Sequence, residues 1–149
     1  MTEMVDQALG EYEERLQAAG LSVVRTLPDH PVWVWADGRR LWRVLDNLLS
    51  NAVKYSPDGG QVLLRARRTD TQTCIEVADS GIGMTEAEQG EVFTKFFRSG
   101  TARKAAIPGV GLGLVISRKI VEEHGGTITL RSEAGKGTVF TATLPRTAG

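Results

Sequence analysis

The chain has 149 residues, of which 41% are hydrophobic and 24% charged. A chain of this length makes one domain and buries most of the surface its unfolded form exposes, so no disulfide or metal is needed to hold it together. Its 18 basic and 18 acidic side chains cancel, which removes any whole-chain field for nucleic acid or an anionic membrane, and no run approaches the roughly 20 apolar residues that span a bilayer.

In chain order, Met4 to Ala19 reads as an acidic amphipathic helix, with Val5, Leu9, Tyr12 and Leu16 on one face. Gly20 ends it. Leu21 to Leu27 and Val32 to Ala36 read as strands, interrupted by Pro28 and Pro31. Asp37 is the expected N-cap of a helix over Arg39 to Tyr55, which Pro57-Asp58-Gly59-Gly60 closes in a turn. Gln61 to Arg68 and Thr73 to Asp79 alternate as a hairpin, with Cys74 expected as a small core residue in a reducing compartment. Thr85 to Phe93 fits a short helix. Thr94 to Pro108 has no clear period, and a long irregular segment in a compact domain is usually functional or mobile. Val110 to Glu123 returns to helical spacing, with Leu112, Val115, Ile116 and Ile120 on one face. Thr127 to Arg131 and Thr138 to Leu144 then flank Gly135-Lys136-Gly137 as a last hairpin. Hairpins interleaved with about three long helices predict an α/β two-layer sandwich: a mixed, mostly antiparallel sheet covered on one face by helices.

Three stretches carry chemistry. On the Arg39 to Tyr55 helix, Leu41, Leu45, Leu48, Leu49 and Ala52 form the apolar stripe, while Asn47, Asn51 and Lys54 recur on another face. Asparagine costs roughly half a kcal/mol against alanine in mid-helix, so two of them one turn apart are unusual for a purely solvated face. Carboxamide oxygens are hard neutral ligands suited to Mg²⁺, which takes much of its coordination from water and phosphate. Lys54 can meet phosphate oxygens.

In the second stretch, Asp79 ends a strand and shares the face of Ile75 and Val77. Its simplest role is an Asx-turn with Gly81; at a cleft edge the same carboxylate can accept from an exocyclic amine such as adenine's. Gly81 and Gly83 remove the Cβ atoms that would block a flat ring. In the third, Gly109, Gly111 and Gly113 open a helix, where free amides and the helix dipole favour phosphate, although neither the dinucleotide fingerprint nor a P-loop is present. Phe93 reads as a packing anchor, and Lys95 and Arg98 as possible phosphate contacts. His30, His124, Trp33, Trp35 and Trp42 have no neighbours that suggest catalysis.

The order of Asn47 to Pro57, Asp79 to Met84, Phe93 to Arg98 and Gly109 to Leu114 resembles the N, G1, F and G2 boxes of sensor histidine kinases. The closing Gly135 to Pro145 stretch is similar to the same family. The resemblance spans nearly the whole chain. It implies the catalytic, ATP-binding domain of a two-component kinase, with the Bergerat-type sandwich shared with gyrase-type ATPases, over residues 1–149 and with an ATP lid near residues 85–108. It implies ATP and Mg²⁺ as cofactors. Asn51 would ligand the metal with Asn47 beside it, and these two with Arg98 would form the catalytic set. Lys54 would contact phosphate and Tyr55 the nucleoside. Asp79 would bind the adenine amine, with Gly81, Ile82, Gly83 and Thr138 at that end. Lys95, Phe97 and Arg98 belong to the lid, and Gly109, Val110, Gly111, Leu112 and Gly113 would frame the phosphates.

The family's phosphoacceptor histidine lies on a separate helical dimerisation domain and is commonly followed by an acidic residue. Here Pro31 follows His30 and Gly125 follows His124. The expectation is therefore a catalytic domain without its acceptor, the cytoplasmic part of a membrane-bound bacterial sensor. It would work with that helical domain and, through it, with a response regulator. Three alternatives compete. A self-sufficient ATPase would carry a glutamate at the position of Asn47. A binding module with a dead site is the second, and a serine kinase of the anti-sigma type is the third.

Overall fold

The structure is a computed structural model that describes residues 1–30, 32, 34, 36–93 and 113–146. Helix α1 (Thr2–Ala18) leads through a left-handed Gly20 into β1 (Leu21–Thr26). After α2 (Gly38–Lys54) come β2 (Gly60–Arg68), β3 (Gln72–Asp79) and the short α3 (Glu86–Gln89). Helix α4 (Gly113–Glu123), β4 (Thr127–Glu133) and β5 (Gly137–Pro145) complete the elements of the described residues. The five strands form one sheet in the order β1-β2-β3-β5-β4. β1 runs parallel to β2 and every other pairing is antiparallel.

Alternation along each strand divides the sheet into a helix-facing and an open face. Val62 and Leu64 of β2, Ile75 and Val77 of β3, and Phe140, Ala142 and Leu144 of β5 lie buried under the helices. Against them pack Val5, Tyr12 and Leu16 of α1, and Leu41, Val44, Leu45, Leu48, Leu49 and Ala52 of α2. The Tyr12 hydroxyl donates to the Asp46 side chain and backbone carbonyl, locking α1 to α2. Asp37 caps α2 as expected, its carboxylate accepting from the backbone N–H groups of Arg39 and Arg40.

Several sequence expectations change. Val32, Val34 and Ala36 belong to no strand, although Val32 is buried. A proline lacks the donor a ladder needs, and Pro28 stands at the entry to this apolar segment. The helix expected over residues 85–93 is a single turn, begun by a capping box between Thr85 and Glu88 and ended at Gly90. On α4 the buried positions are Ser117, Ile120 and Val121, with Val115 and Ile116 only partly covered, because α4 is wedged between α2 and the β4 edge. Cys74 lies half-buried on the open face, near the Thr143 hydroxyl, and not in the core. Beside it, Glu76 is held by Arg65 and Arg67 across the strand pair. Trp33, Trp35 and the segment 94–112, with the larger part of the lid expected near 85–108 and Gly109 and Gly111 of the glycine cluster, lie outside the described residues.

Candidate functional site

Helix α2 is the spine of the site. Asn47 and Asn51 are half-buried on it, one turn apart, and Lys54 is exposed in its last turn. At the Asn47 level the side-chain amide reaches the first turn of α4: Nδ2 donates to the Gly113 carbonyl at 3.2 Å and to Ser117 Oγ at 3.1 Å. Two turns further on, roughly 12 Å along the axis, Tyr55 caps the helix, and its carbonyl accepts from Ile82 N–H at 3.0 Å. The helix therefore touches the start of α4 at one point and the loop after β3 at the other.

That loop is held from both sides. Ile82 N–H donates to Tyr55, while the Ile82 carbonyl accepts from Gly135 N–H at 2.7 Å in the β4–β5 turn. Ser132 Oγ accepts from Met84 N–H at 2.8 Å and donates to the Gly137 carbonyl at 2.8 Å. With that proton committed, the 2.8 Å contact between Ser132 Oγ and Thr138 Oγ1 makes Thr138 the donor. Gln89 Nε2 adds bonds to the carbonyls of Met84 and Ser132.

The glycines here answer to the protein's own backbone. A Cβ on Gly81 would run into the Tyr55 carbonyl oxygen and lie 2.8 Å from Ser56 Oγ. Gly83 sits at φ +65°, where a Cβ would meet the Glu133 carbonyl, and Gly137 at φ +120°, where it would meet that of Asp79. Gly113 differs, because a Cβ there makes only ordinary contact with Asn47 Cγ at 3.6 Å among the described residues.

Asp79 ends β3 directly across from Thr138. Its carboxylate accepts from Gly81 N–H at 2.9 Å, so the Asx-turn is present. Burial pushes its pKa from 3.8 up to about 6, against the opposing hydrogen bonds from the Gly81 and Thr138 backbone N–H groups. A carboxylate kept short of solvent by a loop this tightly fastened is poised to accept a further hydrogen bond.

The structure thus brings Asn47, Asn51, Tyr55, Asp79, Gly81, Ile82, Gly83, Gly113 and Thr138 along one path from α4 across α2 to the end of β3. Lys95, Phe97, Arg98, Gly109, Val110, Gly111 and Leu112 lie outside the described residues. Phe93 packs on the core, with the Arg118 guanidinium 5.3 Å from its ring centre. A separate recess of about 510 Å³ between α1 and α2, lined by Met1, Met4 and Trp42 among others, contains none of these residues. Sequence reasoning missed Ser117 and Ser132. Ser117 stands four residues after Gly113 on the buried side of α4, a spacing that was readable, whereas the role of Ser132 depends on a hairpin register that is not.

Residues 36–148 match the family of histidine kinase-, DNA gyrase B- and HSP90-like ATPases. The chain belongs to this family. The sensor histidine kinase WalK of Bacillus subtilis is 42% identical over 124 residues, 82% of this chain and 20% of WalK. Among solved structures, the mycobacterial sensor histidine kinase MprB superposes with a TM-score of 0.85 at 34% identity, over 97% of this chain and 95% of that one. Full-length ShkA in complex with AMPPNP gives a TM-score of 0.83 at 28% identity, over 99% of this chain and 30% of that one. The chain spans between about one fifth and one third of the length of the curated relatives it matches. Within the family it is a catalytic, ATP-binding domain of the sensor histidine kinase type. No helix among the described residues is long and apolar enough to cross a membrane.

Proposed function

We propose that this domain binds Mg-ATP and presents the γ-phosphate to a histidine on a separate helical domain, from which a response regulator is served. The observation that carries the reading is the paired placement on one helix. The Asn47 carboxamide stands beside the α4 start at one level, with Asn51 one turn further along the same helix, and the Tyr55 cap holds the loop beside Asp79 at another. The likeness to ShkA, which was solved with AMPPNP, supports the same reading.

In this reading Asp79 accepts from the adenine amine, and Gly81, Ile82, Gly83 and Thr138 shape that end. Tyr55 lies against the nucleoside and Lys54 meets phosphate. Phosphate and metal fall to Asn47, Asn51 and Gly113, joined by Lys95, Phe97, Arg98, Gly109, Val110, Gly111 and Leu112 of the segment outside the described residues. The donor set fits Mg²⁺. Asn47 Oδ1 and the Asn51 carboxamide have no hydrogen-bond partner among the described residues, and neutral oxygens of this kind supplement phosphate and water ligands. When bound, the ion neutralises charge on the phosphates during transfer. The chain's own part is positioning, because phosphoryl transfer asks little covalent chemistry of the protein. Asn47, a neutral amide donating to Gly113 and Ser117, offers no general base for water, which weighs against a self-sufficient hydrolase.

The test is calorimetric titration with ATP, ADP and GTP in Mg²⁺. Guanine presents a carbonyl oxygen where adenine has its amine, and losing a charged hydrogen bond is worth roughly 1.5–3 kcal/mol, about 10- to 150-fold. ATP is expected to bind tighter than GTP by about that factor. Equal affinities would sink the base assignment.

A further inference from the structure

Resting on the Mg-ATP reading above, we propose that Ser117 is a positioning residue for the metal end of the site, fixing which atom of the Asn47 carboxamide faces the ligand. Ser117 is fully buried, with 0% of its surface exposed, in the second turn of α4. Its Oγ donates to the Gly113 carbonyl at 2.8 Å and accepts from Asn47 Nδ2 at 3.1 Å. Asn47 Nδ2 closes the cycle by donating to the same carbonyl at 3.2 Å. A serine bonding back to the carbonyl four residues earlier is a common local arrangement. The third member, arriving from another helix, makes this one different.

A carboxamide has two N–H donors on one side and an acceptor oxygen on the other, in nearly the same volume. Half a turn about χ2 exchanges them. In the arrangement present, both N–H groups are spent on α4, and Oδ1 is left without a protein donor among the described residues. The exchanged arrangement would set Oδ1 against the Gly113 carbonyl, two acceptors face to face. It would also turn an NH₂ group toward the place a cation would take. Because the Ser117 proton is committed to Gly113, its oxygen is a pure acceptor toward Asn47 and selects the N–H side. One hydroxyl thereby couples the start of α4 to the chemistry of α2.

The experiment is titration of the full chain with ATP in Mg²⁺ and in EDTA, and with adenosine, for the unaltered protein and Ser117→Ala. The side-chain amide protons of Asn47 are followed by NMR in parallel, assigned by their absence in Asn47→Ala. Expected is a loss of about fivefold, the worth of one neutral hydrogen bond, confined to the Mg²⁺-dependent gain in affinity. Adenosine binding should be unchanged and the Asn47 amide protons should exchange faster with solvent. Ser117→Cys, close in volume with a weak acceptor, should move the same quantities in the same direction and serves if the alanine variant does not fold. A full Mg²⁺ gain with unaltered Asn47 amide signals would overturn the proposal. So would equal losses for ATP with Mg²⁺, ATP without it and adenosine, which is the mark of a merely structural role. Absence of any Mg²⁺ effect in the unaltered chain is a separate result, and it would overturn the metal reading together with this inference.

Discussion

At the scale of single residues, Asp79 is where, on the proposed reading, stability and binding pull in opposite directions. Burial raises its pKa from 3.8 to about 6, so the folded state holds its proton more tightly than the unfolded state does. Stability linked to this group is present in full below about pH 4 and is lost as pH rises through about 6, since the ionised carboxylate is the form that burial penalises. Asp79→Asn keeps an acceptor for the Gly81 N–H and carries no charge. Relative to the unaltered protein, the melting temperature of the free variant should therefore be unchanged near pH 4 and equal or higher above pH 6. ATP affinity should move the other way, falling about 10- to 150-fold at neutral pH. In the unaltered protein it should decline as pH is lowered through about 6, where the carboxylate becomes a donor. Melting curves and titrations across pH 4 to 8 check both halves. A variant that is less stable at every pH would show that Asp79 serves the fold and not the ligand.

Among the elements, two glycines that look alike in the sequence have different reasons to be there. Gly81→Ala would force the loop after β3 away from the Tyr55 carbonyl, a backbone contact that cannot yield by rotamer change. A loss of about 1–3 kcal/mol is expected from such overpacking. Among the described residues Gly113→Ala meets only Asn47, at an ordinary contact distance, and adds a good helix former, so stability should hold or rise by up to about 1 kcal/mol. Chemical denaturation of the two variants separates them, and equal losses would mean that Gly113 is also a packing glycine. The same contrast shows what the sequence made legible. Local periodicity was enough for α1, α2 and both hairpins, and the asparagines of α2 stood out because they are poor helix formers. The parallel pairing of β1 with β2 and the insertion of β5 between β3 and β4 were not legible, since pairing is decided by contacts far apart in the chain. Nor was it legible that Gly81 and Gly83 are set by the carbonyls of Tyr55 and Glu133, because those neighbours meet only after the sheet has formed. The strand expected at residues 32–36 shows the reverse failure: its β-rich composition stands beside Pro28, and its described residues Val32, Val34 and Ala36 belong to no strand even though Val32 is buried.

For the whole molecule, the decisive matter is where a phosphoryl group can go. Of the two histidines, His124 is built into the fold. Its Nδ1 lies 2.7 Å from the Ile120 carbonyl, and its Nε2 accepts from Asp37 N–H at 3.0 Å, tying the end of α4 to the cap of α2. Both ring nitrogens are engaged, so neither offers a lone pair to an incoming phosphate. His30 follows Asp29 in the bend after β1 and is itself followed by Pro31, outside the acceptor pattern of the family. Asn47 supplies no base for water. On the proposed reading such a domain holds a donor and neither acceptor, so incubation with labelled ATP should leave the chain unlabelled. Adding a matching helical dimerisation domain in trans should yield phosphohistidine on that partner, more slowly than in a tethered kinase because the linker's effective concentration is lost. Asn51→Ala should abolish the transfer by removing the proposed carboxamide ligand, while leaving adenosine binding intact. Phosphohistidine is identified by its lability in acid and persistence in base. Acid-labile label on this chain alone would show that it carries its own acceptor, and a partner left unlabelled despite tight Mg-ATP binding would show that the domain binds nucleotide for another purpose.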